Sequence, residues 1–173
     1  MRIIAPDAFL TQPWQNGGGV THEVARAAPG APFWRLSIAE VAADGPFSAF
    51  PGMTRILTVI EGAGMVLETP GGRLAAQPMQ PVRFAGDLPV TGRLLAGPVR
   101  DLNLIFDARG WQGAVASLAA AGPPVAEGGV TMLLDLAGRI LPAGAVAMLA
   151  EGEAVPEGLA HGAGLRADLR RIG

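Results

Sequence analysis

The sequence predicts an all-β protein. Its 25 glycines and 15 prolines recur throughout and cut the chain into short apolar runs. These runs begin about 8–12 residues apart, which is the spacing of strands in an antiparallel sandwich or barrel. Within several runs polar and apolar residues alternate, as expected of strands that bury one face. Half of the chain is hydrophobic, which is enough for a sizeable core.

Alternation and turn signals together predict twelve strands. In chain order they are Ile3–Ala5, Val20–Arg26, Trp34–Val41, Arg55–Ile60, Gly64–Glu68, Arg73–Ala76, Pro81–Phe84, Val90–Leu95, Arg100–Phe106, Val130–Leu136, Ala145–Ala150 and Leu165–Arg170. Turn sequences at 44–46 (DGP), 69–72 (TPGG) and 96–98 (AGP) separate neighbouring strands. The strand at Arg55–Ile60 is apolar on both faces, so we expect it to be buried on both sides with Arg55 at its end.

One helix is predicted, at Trp111–Ala121, because the sequence GPP at 122–124 would end it. A chain of 173 residues forms one domain or two small halves with a common core. We therefore divide the chain into an N-terminal half, residues 1–108, and a smaller C-terminal half, residues 109–173, which begins with this helix. The second half is expected to share strands with the first.

Composition excludes several classes of protein. The chain has no cysteine, which removes disulfides, zinc–thiolate sites and thiol nucleophiles and favours a reducing compartment, so we expect the cytoplasm. All 13 basic residues are arginine, which excludes a Schiff-base lysine or a P-loop lysine. The net charge is −2 and the positive charges are spread along the chain, so no nucleic-acid partner is predicted. No apolar run approaches the roughly 18–20 residues that span a membrane, and no signal peptide is recognised at the start.

Metal and nucleophile sites have little support. The two histidines, His22 and His161, are far apart, and His22 and Glu23 point to opposite faces of a strand, so no metal site is predicted. None of the three serines lies in a G-x-S-x-G sequence. The glycines at 17–19 lack the spacing of a nucleotide-binding loop. They form either a turn at the start of a strand or a backbone surface against a ligand.

Polar side chains share a face on three predicted strands. Arg35 and Ser37 alternate with apolar neighbours on one strand, and Asp101 and Asn103 do so on another. Arg55 begins a third strand and is either a solvated strand end or an anchor for an anion. These side chains form either a hydrogen-bonding cup inside a barrel or a solvated outer face, and periodicity leaves both possibilities open.

Five short motifs resemble the HutD/Ves family. They lie at 14–21 (WQNGGGVT), 33–39 (FWRLSIA), 45–52 (GPFSAFPG, followed by Arg55), 84–87 (FAGD) and 101–104 (DLNL). They occur in that family's order over residues 14–106. The resemblance implies a cupin-type double-stranded β-helix, arranged as a bicupin with two barrel-like halves in one chain. It also implies a protein without the metal-binding histidines of many cupins, linked to histidine utilisation or to stress induction.

The resemblance implies a non-catalytic, metal-free protein without a cofactor that binds a small carboxylate metabolite such as N-formylglutamate or formate. The candidate ligand-binding residues are Asn16, Arg35, Ser37, Ser48, Arg55, Asp101 and Asn103. A guanidinium group matches the planar fork of a carboxylate, and amides and hydroxyls complete its hydrogen bonds. Two alternatives stay open: an enzyme that uses Asp101 or Asp87 as acid or base, and a purely structural or protein-interaction module. A homodimer is expected because cupins often pair through sheet edges.

Overall fold

The computed structural model describes residues 1–118, 125–138, 140–159 and 163–172. Within these residues the chain is all-β, with no α-helix and one 3₁₀ turn at Pro6–Ala8. The strands are β1 (Arg2–Ile4), β2 (Leu10–Pro13), β3 (Gly19–Arg26), β4 (Trp34–Val41), β5 (Gly45–Pro46), β6 (Thr54–Glu61), β7 (Met65–Thr69), β8 (Gly72–Ala76), β9 (Val82–Ala85), β10 (Thr91–Leu94), β11 (Val99–Phe106), β12 (Trp111–Ser117), β13 (Val130–Asp135), β14 (Val146–Leu149) and β15 (Gly164–Arg171). In this described part no helix is long and apolar enough to cross a membrane.

The chain divides into two compact units. One unit is Leu10–Ala108, and the other combines Met1–Phe9 with Arg109–Gly173. The first nine residues are therefore grouped with the C-terminal part of the chain, because β1 pairs with β14.

The Leu10–Ala108 unit contains two antiparallel sheets. Its six-stranded sheet has the order β2-β3-β4-β11-β6-β9, and its four-stranded sheet has the order β5-β10-β7-β8. An apolar core draws on both sheets, with Val41 and Val59 from the larger sheet and Met65 and Leu67 from the smaller one. The central strands β4, β6 and β11 are buried on both faces over most of their length, and one row of each enters this core.

The register of β11 determines which side chains become neighbours. Asn103 lies opposite Ser37 of β4 and Leu57 of β6, and Ile105 lies between Arg35 and Arg55. Residues directly opposite on paired strands share a face of the sheet. On this face of the sheet, the side chains at one end belong to the apolar core. Those at the other end include the polar side chains of Arg35, Arg55 and Asn103.

The second unit contains one five-stranded antiparallel sheet in the order β1-β14-β13-β15-β12. Its core includes Leu133 of β13 and Ala147 and Leu149 of β14. Asp135, at the end of β13, accepts hydrogen bonds from four backbone amides, those of Ala137, Gly138, Ile140 and Leu141. These bonds determine the path of the turn that follows β13.

Each of the twelve predicted strands overlaps an observed strand, so the all-β prediction is confirmed. The helix predicted at Trp111–Ala121 is wrong: Trp111–Ser117 is strand β12, which pairs with β15 over its whole length. Buried Trp111 and Gly113 alternate there with exposed Gln112 and Ala114. The helix propensity of an alanine-rich segment is a weak preference that this pairing overrides. Residues 119–121 lie outside the described part.

Two further strands, β2 and β5, were not predicted. The whole of β2 is exposed at the edge of the six-stranded sheet, so it lacks the buried alternating row that identifies a strand. Its Pro13 suits an edge position, where one side of the strand needs no partner. In the described residues the two sheets of the Leu10–Ala108 unit and the one sheet of the other unit do not close into a barrel. The double-stranded β-helix and the bicupin arrangement therefore remain predictions.

Candidate functional site

The Leu10–Ala108 unit contains a cavity of about 540 Å³. Its floor is the polar end of the six-stranded sheet, formed by Arg35, Ser37, Arg55, Asn103 and Ile105. One wall comes from the segment after β2 together with β3, and includes Trp14, Asn16 and Thr21. A second wall comes from the segment after β5, and includes Phe47, Ser48 and Phe50.

The floor follows from the period of the strands and from their register. Arg35 and Ser37 are two residues apart on β4, and so are Asn103 and Ile105 on β11, so each pair projects to one face. Antiparallel pairing then places these pairs next to each other and next to Arg55 of β6. Residues from three separate segments of sequence thus form one continuous polar surface.

Arg55 is the most deeply buried cation of this surface, with 7% of its surface exposed. Its Nε donates a 2.8 Å hydrogen bond to Oδ1 of Asn103. The guanidinium also lies 4.8 Å from the ring centroid of Phe47 and 5.6 Å from that of Phe84. Burial lowers the pKa of Arg55 to about 10, while the charge of Asp101 opposes this shift and Arg35 adds to it. Arg55 is therefore a cation at neutral pH.

Asn103 connects Arg55 to a buried carboxylate. Its Nδ2 donates a short hydrogen bond to Oδ1 of Asp101. Asp101 has no exposed surface, and its Oδ2 has no hydrogen-bond partner among the described residues. Burial raises the pKa of Asp101 to about 6, although the charge of Arg55 and the hydrogen bond from Asn103 lower it in part. Arg55 and Asn103 both line the cavity, and Asp101 lies behind Asn103.

Arg35 is the second cation of the floor. Its guanidinium lies 4.9 Å from the ring centroid of Phe50, and its Nε is buried without a hydrogen-bond partner in the described part of the chain. Burial lowers the pKa of Arg35, Glu23 raises it and Arg26 lowers it. An unpaired buried donor is unfavourable by about 1–3 kcal/mol.

The first wall explains the glycine-rich motif. Oδ1 of Asn16 accepts a 3.0 Å hydrogen bond from the backbone amide of Gly18, and Gly17 has a φ of +70°. A Cβ on Gly19 would clash with the carbonyl oxygen of Glu40 and lie 3.1 Å from the Trp14 ring. Of the two interpretations of these glycines, the strand-entry turn is therefore confirmed, and none of the three lines the cavity.

Backbone hydrogen bonds to the motif at 84–87 hold the segment that forms the second wall. The backbone amide of Phe50 donates to the carbonyl of Gly86, and that of Gly86 donates to the carbonyl of Met53, both at 2.7 Å. The amide of Phe47 donates to the carbonyl of Val90 at 2.9 Å. These bonds position Phe47 and Phe50 over the two arginines. Trp14 meets Phe47 edge-on, with ring centroids 5.9 Å apart.

The structure brings six of the seven predicted site residues to the cavity: Asn16, Arg35, Ser37, Ser48, Arg55 and Asn103. Asp101 lies behind Asn103 and does not line the cavity. Asp87 is exposed and lies outside the cavity lining. The sequence did not single out Phe47 as a cavity residue. Its contact with Arg55 depends on the path of a turn, for which periodicity gives no signal.

His22 does not line this cavity. His22 contacts Oγ1 of Thr11 at 2.9 Å and Oε1 of Glu40 at 3.3 Å. His161 lies outside the described residues. Among the side chains that the structure describes, no group of three or more histidine, aspartate or glutamate residues has the arrangement of a metal site.

Comparisons with known proteins point to one family. The profile of the HutD family matches residues 7–156. An uncharacterised 21.2 kDa protein in the hutC 3′ region of Pseudomonas putida is 38% identical over 115 residues, which are 61% of this chain and 58% of that protein. The match thus spans less than two thirds of that relative.

Two solved structures are similar over nearly the whole chain. HutD from Pseudomonas fluorescens SBW25 (formate condition) has a TM-score of 0.82 and 28% identity, and covers 99% of both chains. A conserved protein of unknown function from Pseudomonas aeruginosa PAO1 has a TM-score of 0.78 and 28% identity, and covers 99% of this chain and 98% of that one.

Proposed function

Because the chain belongs to the HutD family, we propose that it is a non-catalytic protein that binds a small carboxylate metabolite in the cavity of the Leu10–Ala108 unit. The proposal needs no metal and no cofactor, because the ligand contacts come from side chains alone. We also propose that the chain is a bicupin, with cupin-like halves at 1–108 and 109–173. A cytoplasmic location and a homodimer are further parts of the proposal.

One observation carries the proposal: two arginines line the cavity, and none of its described lining residues is acidic. A low-dielectric site with excess positive charge attracts anions. The hydrogen bond to Asn103 uses Nε of Arg55. The two terminal nitrogens remain as a planar fork, which matches the two oxygens of a carboxylate.

The neighbouring polar groups suit the rest of such a ligand. Ser37, Ser48 and Thr21 provide hydroxyls at the cavity surface, and Asn16 provides an amide. Hydroxyls and amides donate or accept hydrogen bonds without adding charge. Phe50 and Trp14 enclose the cavity and reduce its contact with water, which strengthens the pairing of a carboxylate with an arginine.

Histidine utilisation is the proposed context. The Pseudomonas putida relative lies in the hutC 3′ region, and the Pseudomonas fluorescens structure carries the name HutD and a formate condition. The formate condition supports formate as a first candidate, and the family resemblance adds N-formylglutamate. A role in regulating histidine utilisation or a stress response is part of the proposal.

An acid–base enzyme is the second candidate function. The observation in its favour is the pKa of Asp101, which burial raises to about 6, within the range of a general base or acid. Against it, Asn103 separates Asp101 from the cavity, and Asp87 is exposed. A general base must reach the proton that it removes, either directly or through one water molecule.

Titration calorimetry tests the binding proposal. The wild type is titrated with formate, N-formylglutamate, glutamate, urocanate and histidine, each with and without EDTA. We expect EDTA-insensitive binding of at least one acid. Arg55→Ala should weaken it about 10- to 100-fold, since a hydrogen bond to a charged group contributes about 1.5–3 kcal/mol. Arg73→Ala is the matched control, because Arg73 is exposed and pairs with Glu68 away from the cavity.

Three outcomes would contradict parts of the proposal. Equal affinity of wild type and Arg55→Ala would remove Arg55 from the site. Binding that EDTA abolishes would mean that a metal belongs to the site. A product found by NMR after incubation of the bound acid with the wild type, but not with Asp101→Asn, would favour the enzyme.

A further inference from the structure

Two hydrogen bonds connect the cavity surface to a carboxylate that lies behind it. Asn103 accepts from Arg55 and donates to Asp101, so it connects a cation at the cavity surface to a carboxylate with no exposed surface. Asp101 therefore has no direct access to a ligand. It is nonetheless the internal negative charge that acts on Arg55.

We propose that Asp101 is a positioning residue whose proton occupancy is coupled, through Asn103 and Arg55, to the binding of an anion in the cavity. The inference rests on the proposed function and concerns the regulation of the same site. An anion that enters the cavity places a second negative charge beside Arg55. Two anions near one cation repel each other, and the buried carboxylate responds by taking up a proton.

The coupling depends on which charged groups surround Asp101. Its neighbours across the sheet are Ala39 of β4 and Val59 of β6, which carry no charge. The cations on this face are Arg55 of β6, Arg35 of β4 and Arg26 of β3, which lies directly opposite Arg35. Glu23 of β3 also acts on Arg35. The core residues contributed by the four-stranded sheet, such as Met65 and Leu67, are apolar.

The geometry also leaves a place for the proton. Oδ1 of Asp101 accepts the bond from Asn103, whereas Oδ2 is buried with no hydrogen-bond partner among the described residues. A proton on Oδ2 removes the charge of Asp101 without displacing Asn103. The bond that orients Arg55 is therefore preserved in both protonation states. In the free protein the pKa of Asp101 is about 6, so the coupling falls near physiological pH.

The sign of the pH dependence follows. Bound anion raises the pKa of Asp101, so protons are taken up on binding and affinity falls as pH rises from about 6. A rise of one pKa unit corresponds to about a tenfold change in affinity. With formate or N-formylglutamate as the probe, we expect the wild-type Kd to increase about tenfold between pH 5.5 and pH 8. The carboxyl groups of both probes are ionised across this range.

Calorimetry in buffers of different ionisation enthalpy measures the number of protons taken up. We expect about half a proton per site at pH 6.5 for the wild type, from the linkage relation, and none for Asp101→Asn, whose Kd should change less than twofold over the same pH range. Asp87→Asn is the matched control, since Asp87 is exposed in the same unit, and it should behave as the wild type.

The outcomes separate the two proposals. Binding by the wild type with no proton uptake and a flat pH profile would overturn the role of Asp101 and leave the binding proposal standing. Proton uptake that persists unchanged in Asp101→Asn would also overturn it. Failure of the wild type to bind any of the five acids, formate, N-formylglutamate, glutamate, urocanate and histidine, at any pH would overturn both proposals. The wild-type proton count needs no variant, so a count of zero would overturn the role of Asp101 even if Asp101→Asn does not fold.

Discussion

Arg55 and Asn103 are 48 positions apart in sequence and are joined by a 2.8 Å hydrogen bond from Nε to Oδ1. They lie on the paired strands β6 and β11, where Ile105 is directly opposite Arg55 and Asn103 is its diagonal neighbour. Diagonal neighbours on paired strands are within reach of long side chains. This one contact joins the cavity surface to the buried Asp101 and underlies two of the predictions that follow.

Asn103→Ala should destabilise the protein by about 3 kcal/mol. The change leaves Nε of Arg55 and Oδ1 of Asp101 without their partner, and a buried polar group without a partner is unfavourable by about 1–3 kcal/mol. Urea denaturation followed by tryptophan fluorescence measures the free energy of unfolding. The control is Asn16→Ala, which removes an exposed bond to Gly18 and should lower stability by less than about 1 kcal/mol. Equal losses in the two variants would contradict this prediction.

Asp101 should make a pH-dependent contribution to stability. Its pKa rises from 3.8 in the unfolded chain to about 6 in the folded protein, so the folded state binds more protons between these values. The stabilisation is complete below pH 3.8 and is lost as pH rises to about 6. A shift of this size corresponds to about 3 kcal/mol.

The measurement is the difference in unfolding free energy between the wild type and Asp101→Asn at several pH values. This difference should fall by about 2 kcal/mol between pH 4 and pH 6.5, in favour of the variant at higher pH. Subtracting the variant removes the contributions of other carboxylates, such as Glu68, whose pKa is lowered by its hydrogen bond to Arg93. A difference that rises with pH would show that the pKa of Asp101 is lowered rather than raised.

Gly86→Ala should weaken ligand binding and destabilise the protein by about 1–3 kcal/mol, the range for overpacking a buried site. A Cβ at this position would lie 2.5 Å from the carbonyl oxygen of Phe50 and 3.0 Å from that of Met53. The segment that carries Phe50 over Arg35 must therefore move. Thermal unfolding and calorimetry measure the two effects.

Gly71→Ala is the control for this change, because the nearest atom to its new Cβ is 3.9 Å away, at Thr69. Its stability and affinity should match those of the wild type. If Gly86→Ala kept wild-type affinity although less stable, the position of Phe50 would not matter for binding.

Asp135→Ala should destabilise the C-terminal unit by about 3 kcal/mol. The carboxylate accepts four backbone hydrogen bonds at 2.9–3.3 Å from the turn after β13. Without this carboxylate the four amides must form hydrogen bonds with water or remain unpaired. Hydrogen exchange at the amides of Ala137 and Ile140 reports this opening directly. Asp7→Ala, an exposed change in the same unit, should leave that exchange unchanged.

Much of the cavity could be predicted from the sequence. Alternation placed Arg35 with Ser37 and Asp101 with Asn103, because successive side chains of a strand point to opposite faces. The motif resemblance then grouped residues from five segments. Six of the seven residues named in this way line one cavity. The all-β class followed from the same alternation and from the spacing of the turns.

Other features could not be predicted, because they depend on partners that are distant in sequence. Trp111–Ser117 is a strand because β15 pairs with it, and its own residues carry no strong preference. The edge strand β2 buries nothing, so no alternating row identifies it. Phe47 contacts Arg55 through a turn anchored to Val90.

The sequence by itself determined the class of fold and the face on which each polar side chain lies, since both depend on the local period of the strand. The tertiary structure alone decided the depth of each side chain. Asp101 and Asn103 share a face, yet register places Asn103 at the cavity and Asp101 behind it, beside apolar Ala39 and Val59. Burial and the charge of Arg55 then determine the pKa of Asp101, and both depend on strands that pair across long stretches of sequence.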